Sequence, residues 1–283
     1  MTQADAATLA SGLRQREAAL AGRLRSWPSL IVAYSGGVDS AYLAWAATRA
    51  MGRNVLCVTA DSPSYPERHR AMAISIARDF GLRHEVIRTR ELDNPAYRAN
   101  PANRCYYCKH ELYTSLSAVA RARGFAAIAD GSNADDRGDY RPGRQAAREF
   151  GIVSPLDEAE LSKADIRALS RDAGLPTWDE PASACLSSRI PYFSEVTDEK
   201  LRAIEQAEDA IRSLGFRVVR VRHHGEVARI ELGRDEMPRA FDPGVAEAID
   251  RALRALGFKY VTIDIKGYRL GSLNEGLKLH PVD

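Results

Sequence analysis

The 283-residue sequence has only four cysteines, too few for the disulfide framework that holds small secreted domains together, so its stability must come from a buried core. It also lacks any apolar run near the ~20 residues needed to span a bilayer. An excess of one charge is missing too. Forty basic residues face 38 acidic ones, and a net charge of +2 offers no broad field for nucleic acid or an anionic membrane. Neither is expected as a partner. The leading segment, with Asp5, Arg14, Arg16 and Glu17, lacks the pattern of a signal peptide, and the expectation is a cytoplasmic protein whose cysteines stay reduced. Repeats and low-complexity stretches are absent. What is present, 45% hydrophobic and 28% charged residues, is ordinary for a globular protein, and the length points to one large domain and a smaller one.

Residues 5–26 place Leu9, Leu13, Leu20 and Leu24 at helical spacing, which predicts an amphipathic leading helix. Strands and helices then alternate. Strands are expected at Leu30–Tyr34, Val55–Ala60, His84–Ile87 and Ala126–Asp130, with helices at Pro66–Phe80 and Lys109–Arg123. This order predicts an α/β fold, a parallel sheet with helices on both faces. Ligands of such sheets bind beyond the carboxyl ends of the strands, where Ser35, Asp61 and Gly131 fall, so the three loops are expected to share one crevice. From Arg141 to Pro181 prolines and glycines punctuate short helices, which reads as the close of the domain and a hinge. Beyond it a helix from Thr197 to Leu214, strands at Arg217–Arg222 and Ala228–Leu232, a helix at Val245–Leu256 and a strand at Tyr260–Ile265 predict a small α+β module. The expected domains are thus 1–185 and 186–283.

The chain's most informative peptide is Ser35-Gly36-Gly37-Val38-Asp39-Ser40, set between an apolar strand and an apolar helix. Glycines let the backbone approach an anion without a Cβ in the way, and the first helical turn adds unpaired N–H groups and the positive end of the helix dipole. The peptide lacks the Lys-Ser/Thr ending of a Walker loop, which argues against transfer of a γ-phosphoryl group. It resembles the pyrophosphate loop of the PP-loop ATPases, whose fold is the adenine nucleotide alpha hydrolase-like one. That resemblance implies cleavage of ATP between its α and β phosphates. Asp39 reads either as a ligand of Mg²⁺ or as a residue of loop geometry and helix capping. Ala60 and Asp61 would bound the adenosine, and Gly131 with Ser132 and Asn133 would approach the nucleotide from the fourth strand; singly, each is a common turn residue.

A second unusual peptide is Trp178-Asp179-Glu180-Pro181-Ala182-Ser183-Ala184-Cys185-Leu186-Ser187-Ser188-Arg189. Cys185 sits among small residues that leave sulfur accessible, and Arg189 could favour its thiolate; a lone cysteine is otherwise a small buried hydrophobe. Cys105 and Cys108 form a Cys-x-x-Cys pair with His110 close by, yet no second pair completes a zinc site. Tyr106 can stack on a substrate or simply pack, and Lys109 can meet a phosphate or stay solvated. Arg220 and Arg222 share one face of a strand, so an anion must lie between them: either a substrate phosphate or carboxylate, or Glu208 and Glu231 from neighbouring elements.

The phosphate loop, Cys105-Tyr106-Tyr107-Cys108-Lys109, Asp130-Gly131-Ser132-Asn133, the Cys185 peptide and Arg220-Val221-Arg222-His223-His224 together resemble the LarE family of ATP-dependent sacrificial sulfur transferases. The resemblance implies that ATP adenylates a carboxylate of pyridinium-3,5-biscarboxylic acid mononucleotide and that Cys185 takes up the acyl group. Loss of the thiocarboxylate would leave dehydroalanine, in the biosynthesis of the nickel-pincer cofactor of lactate racemase. It assigns ATP and pyrophosphate to Ser35, Gly36, Gly37, Val38, Asp39, Ser40, Ala60, Asp61, Gly131 and Ser132. Substrate goes to Tyr106, Lys109, Arg189, Arg220 and Arg222, and metal to Asp39, Glu208 and Glu231. Relatives with an iron-sulfur cluster carry three cysteines where this chain has Cys185 alone, so no cluster is expected. The family also implies a hexamer. The competing expectation is an ammonia-dependent adenylating amide ligase of the NAD or GMP synthetase type; a nucleotide sensor without chemistry and a tRNA thiolase are further readings.

Overall fold

Residues 3–138, 142–181, 184–269 and 271–272 are described by a computed structural model. In chain order the elements begin with α1 (Gln3–Arg25), β1 (Leu30–Ala33), α2 (Val38–Met51), β2 (Val55–Asp61), α3 (Glu67–Asp79) and β3 (His84–Arg88). Next come α4 (Pro95–Arg98), α5 (Arg104–Arg123), β4 (Ala127–Ala129), α6 (Gly143–Glu149), α7 (Pro155–Glu158) and α8 (Lys163–Asp172). The last are α9 (Asp198–Ser213), β5 (Val219–His224), β6 (Val227–Leu232), α10 (Pro243–Ala255) and β7 (Tyr260–Ile263). They form two compact units, Met1–Glu91 with Asn103–Ser183, and Leu92–Ala102 with Ala184–Asp283.

In the first unit the continuous apolar run of β1 makes it a central strand, because a parallel sheet buries both faces. It pairs in parallel with β2 (Leu30 opposite Val55) and with β4 (Leu30 opposite Ala127), and β3 joins β2, giving the order β3-β2-β1-β4. Alternation along the strand sends Leu30 and Val32 into a core with Leu20, Leu24, Leu43 and Ile76, while Ile31 joins Leu56, Tyr113, Leu116 and Ile128 on the other face. The expected parallel α/β sheet with two covered faces is therefore present. Helix α5 starts five residues before Lys109, so Cys105 and Cys108 lie inside it. Cysteine and tyrosine have weak helix propensity, and Asn103 makes no side-chain capping bond, which left that start without a sequence signal.

The second unit holds the sheet β5-β6-β7, with β5 and β6 antiparallel and β6 and β7 parallel. Val219, Val221, Ile230 and Leu232 pack with Ile211, Phe216 and Leu253 in its core. Strand β5 begins two residues later than the pattern predicts, since the amides of Arg217 and Val218 bond the Glu236 carboxylate at 2.7 and 2.9 Å. The short segment carrying α4 belongs here. Asn100 takes a left-handed φ of 53° and its amide donates to the carbonyls of Ile190, Pro191 and Ser194 at 3.3, 2.8 and 3.0 Å, while Val196 N–H returns a bond to Arg98. Ala182 and Ser183 of the cysteine peptide lie outside the described residues. Among the described residues no helix is long and apolar enough to cross a membrane.

Candidate active site

In the first unit, the strand ends bring three loops together. Tyr34 N–H bonds Val58 and its phenol donates to the Ala73 carbonyl at 3.0 Å, which sets the direction in which the chain leaves β1. Ser40 then folds the phosphate loop on itself. Its hydroxyl contacts Ser35 Oγ at 3.0 Å, accepts from Ser35 N–H at 3.1 Å and donates to the Gly37 carbonyl at 3.1 Å. Gly37 caps α2 without any side chain, so the first-turn N–H groups face the loop. The Tyr65 hydroxyl, from the loop after β2, donates to the Ser35 carbonyl at 2.7 Å.

Two glycines beside these loops sit at close approaches of the chain, and at Gly36 the geometry requires one. Gly36 has φ +66°, and a Cβ there would stand 2.8 Å from Ala73 Cβ and 2.9 Å from its Cα. A Cβ on Gly131 would lie 3.1 Å from the Ser40 amide nitrogen. Gly36→Ala is therefore expected to displace α3 or the loop, and ATP-dependent pyrophosphate release should fall by about 100-fold, the scale of a misplaced reacting group. A steady-state pyrophosphate assay checks this; wild-type turnover would mean that the loop does not hold the nucleotide.

The Gly131 loop is organised by Asp130, whose carboxylate accepts from Tyr113 OH at 3.0 Å, from Ser132 N–H and Oγ at 3.1 and 3.0 Å, and from Ser154 Oγ at 2.9 Å. Lys109 is half-buried, 5.4 Å from the Tyr113 ring centroid, with Gly143 packed against its stem. Tyr113 and Asp130 push its pKa up, against the effect of burial, so it is a fixed cation beside this loop. Tyr106 gives its hydroxyl to Glu149 at 2.7 Å, and Asp61 accepts from Arg70 at 3.2 Å.

Lys163, the first residue of α8, ion-pairs with Asp39 and so brings a cation to a phosphate loop that contains none. Sequence reasoning passed over it. The signal was there: Ser162 and Asp165 form a capping box, with Ser162 Oγ accepting from Asp165 N–H and the Asp165 carboxylate accepting from Ser162 N–H, which marks a helix start.

In the second unit Cys185 is half-buried, on the turn that leads into Leu186–Arg189. The other thiols differ from it. Cys57 is fully buried in the core and burial pushes it up to about 12, which removes it as a nucleophile, while Cys105 and Cys108 lie on α5. Arg189, which the sequence offered as a partner of substrate or of the Cys185 thiolate, is a buried residue. It is 1% exposed and holds Glu208 through Nε at 2.8 Å and Nη2 at 3.2 Å, while Nη1 donates to the carbonyls of Ala184 and Cys185 at 2.6 and 2.9 Å.

Glu208 and Glu231, which the sequence offered as partners of Arg220 and Arg222 in place of a substrate anion, are both buried in ion pairs, Glu208 with Arg189 and Arg212 and Glu231 with Arg222 and Arg229. Glu208 also accepts from Arg212 at 2.6 Å and Val221 N–H at 3.2 Å. Glu231, 0% exposed, accepts from Arg222 at 2.7 Å, Arg229 at 3.1 Å and Ser272 Oγ at 3.1 Å. Arg222 also reaches the Ser188 carbonyl at 2.7 Å. Arg220 donates to the Val219 carbonyl at 2.7 Å and lies 5.2 Å from the Tyr268 ring centroid; burial and the neighbouring Arg189 lower its pKa to about 10. No group of three or more potential metal ligands occurs among the described residues.

The chain is 44% identical over 247 residues to an uncharacterized protein of Synechocystis sp., covering 87% of this chain and 92% of that one. It is 36% identical over 268 residues to the pyridinium-3,5-bisthiocarboxylic acid mononucleotide synthase of Lactiplantibacillus plantarum, covering 94% and 96%. A more distant likeness, 31% over 196 residues, joins 62% of the chain to 51% of a tRNA(Ile)-lysidine synthase of Bradyrhizobium sp.. No family model matches the chain.

Proposed function

This chain belongs to the LarE family of pyridinium-3,5-bisthiocarboxylic acid mononucleotide synthases, sulfur-transferring members of the PP-loop ATPases, and we propose that it converts the corresponding biscarboxylic acid mononucleotide to thiocarboxylate with Cys185 as the sulfur source. The first unit carries the adenylation. A substrate carboxylate oxygen attacks the α-phosphorus of ATP, the bond to the β-phosphate breaks, and pyrophosphate leaves into the loop of Ser35–Ser40. The loop's N–H groups and hydroxyls are complementary to that leaving group, and Lys163 stands beside them, paired with Asp39. Mg²⁺ suits this place, because one carboxylate with phosphate oxygens and water is its usual donor set; Asp39 would hold it, and it would offset phosphate charge.

The second unit carries the transfer. The Cys185 thiolate attacks the acyl carbon of the adenylate, AMP leaves with the electron pair of the broken C–O bond, and a thioester joins protein and substrate. Removal of the Cα proton of residue 185 and breakage of its Cβ–S bond then release the thiocarboxylate and leave dehydroalanine. The protein is used once. A cytoplasmic, homo-oligomeric and, by family likeness, hexameric protein belongs to the same reading.

The observation that carries this function is Cys185, half-buried on a turn held through its main chain, in a chain of this family that also has the Ser35–Ser40 loop. The test is peptide mass after incubation with ATP, Mg²⁺ and the pyridinium biscarboxylate mononucleotide. The Cys185 peptide should become lighter by one H₂S. Pyrophosphate release with Cys185 intact would instead favour the amide ligase.

A further inference from the structure

The carbonyl oxygen of Cys185 accepts three donors at once: Arg189 Nη1 at 2.9 Å, Ser188 N–H at 3.0 Å and Ser188 Oγ at 2.8 Å. The Ser188 hydroxyl is itself fixed, since Arg189 Nη1 reaches its oxygen at 3.1 Å, and the Ser188 carbonyl is held by Arg222 at 2.7 Å. The guanidinium is anchored from behind by the buried Glu208 carboxylate, which takes both Nε and Nη2. Ser187 is tied to Tyr97 by a hydroxyl contact of 2.6 Å. The two Ser188 donors close the turn; the third is a buried guanidinium, which also takes the Ala184 carbonyl at 2.6 Å and adds a cation to the Cys185 oxygen that turn closure does not need.

We propose that this cluster is an oxyanion hole directed at the protein's own peptide bond, and that it drives the step that releases sulfur. The proposal rests on the reading of Cys185 as sulfur donor. Breaking the Cβ–S bond requires loss of the Cα proton of residue 185, and a peptide Cα–H is a very weak acid. As solvent water takes that proton, the C–H electron pair moves onto the adjoining carbonyl and an enolate forms. The pair then returns to make the Cα–Cβ double bond, while the Cβ–S pair leaves on the thiocarboxylate. Negative charge therefore develops on the Cys185 carbonyl oxygen. Donors at about 2.7–3.1 Å from a developing oxyanion, fixed before reaction, are the arrangement that stabilises it. Arg189 and Ser188 are thus catalytic in the elimination.

The experiment uses the full-length protein with ATP, Mg²⁺ and the pyridinium biscarboxylate mononucleotide. Pyrophosphate release, protein–substrate thioester and dehydroalanine at residue 185 are followed separately by mass spectrometry and a coupled assay. Arg189→Lys should accumulate the protein–substrate thioester, because elimination slows about 100-fold more than thioester formation does in the same protein, the scale of one lost oxyanion donor. Ser188→Ala, which keeps the backbone donor and the guanidinium, should show the same accumulation with a smaller slowing. Elimination at the wild-type rate in either variant overturns the proposal, as does an equal slowing of thioester formation and elimination. If Arg189→Lys does not fold, Ser188→Ala decides alone. A wild-type protein that never loses sulfur at residue 185 overturns the underlying sulfur-donor reading as well, so the wild-type and variant arms separate the two failures.

Discussion

Cys185→Ala protein given ATP, Mg²⁺ and the pyridinium biscarboxylate mononucleotide is expected to release pyrophosphate, remain unchanged in mass, and yield no thiocarboxylate. In the proposed reaction adenylation falls to the Ser35–Ser40 loop and its neighbours in the first unit, whose contacts do not involve the thiol. No other cysteine replaces it. Cys57 is in the core with its thiol raised to about 12, and Cys105 and Cys108 belong to a different element. Liquid chromatography of the pyridinium products checks the result. Undiminished thiocarboxylate from the alanine variant would place the sulfur source elsewhere, and an amide product formed with ammonia would turn the assignment toward an amide ligase.

The second large effect concerns stability. Glu208→Gln should destabilise the second unit by about 3–5 kcal/mol at neutral pH, because a buried carboxylate is removed from arginines that stay buried. Burial alone would raise the Glu208 pKa, yet Arg189, Arg220 and Arg212 lower it from 4.5 to about 2. The sign follows from linkage: a carboxyl with a folded pKa below its unfolded value adds stability above the unfolded pKa, and that stability is lost as pH falls through the folded one. The gap between wild type and variant should therefore be full above about pH 5 and close toward pH 2. Tryptophan fluorescence would miss it, since Trp27, Trp45 and Trp178 all lie in the first unit. Amide hydrogen exchange in β5 and β6 across that pH range is the measurement. Equal protection in the two proteins at pH 7 would mean that Glu208 does not hold the arginine cluster.

How much of this was legible beforehand differs from element to element. Strands β1, β2 and β4 announced themselves through short apolar runs between helical segments, β3 through Val86 and Ile87 between two helical segments, and the Ser35–Ser40 loop through its glycines and serines. Helix α8 was hidden by the surrounding prolines and glycines, though its capping box was readable, and with it went Lys163. Nothing local marked residues 92–102 as part of the second unit, because the Asn100 side chain bonds carbonyls about ninety positions away, at Ile190, Pro191 and Ser194. Arg189 looked like a substrate or thiolate partner from its spacing to Cys185. Its orientation was set by Glu208 on another helix.

The sequence by itself determined the parallel sheet, the glycine- and serine-rich turn between β1 and α2, and the family, since hydrophobic periodicity, glycine conformation and the spacing of motifs are local properties. Only the tertiary structure decided which charges are neutralised within the protein. Glu208, Glu231, Arg189 and Arg222 are all buried, and a buried charge must find its partner in space rather than in sequence. That same pairing directs Arg189 at the carbonyl of Cys185, a contact no spacing rule contains.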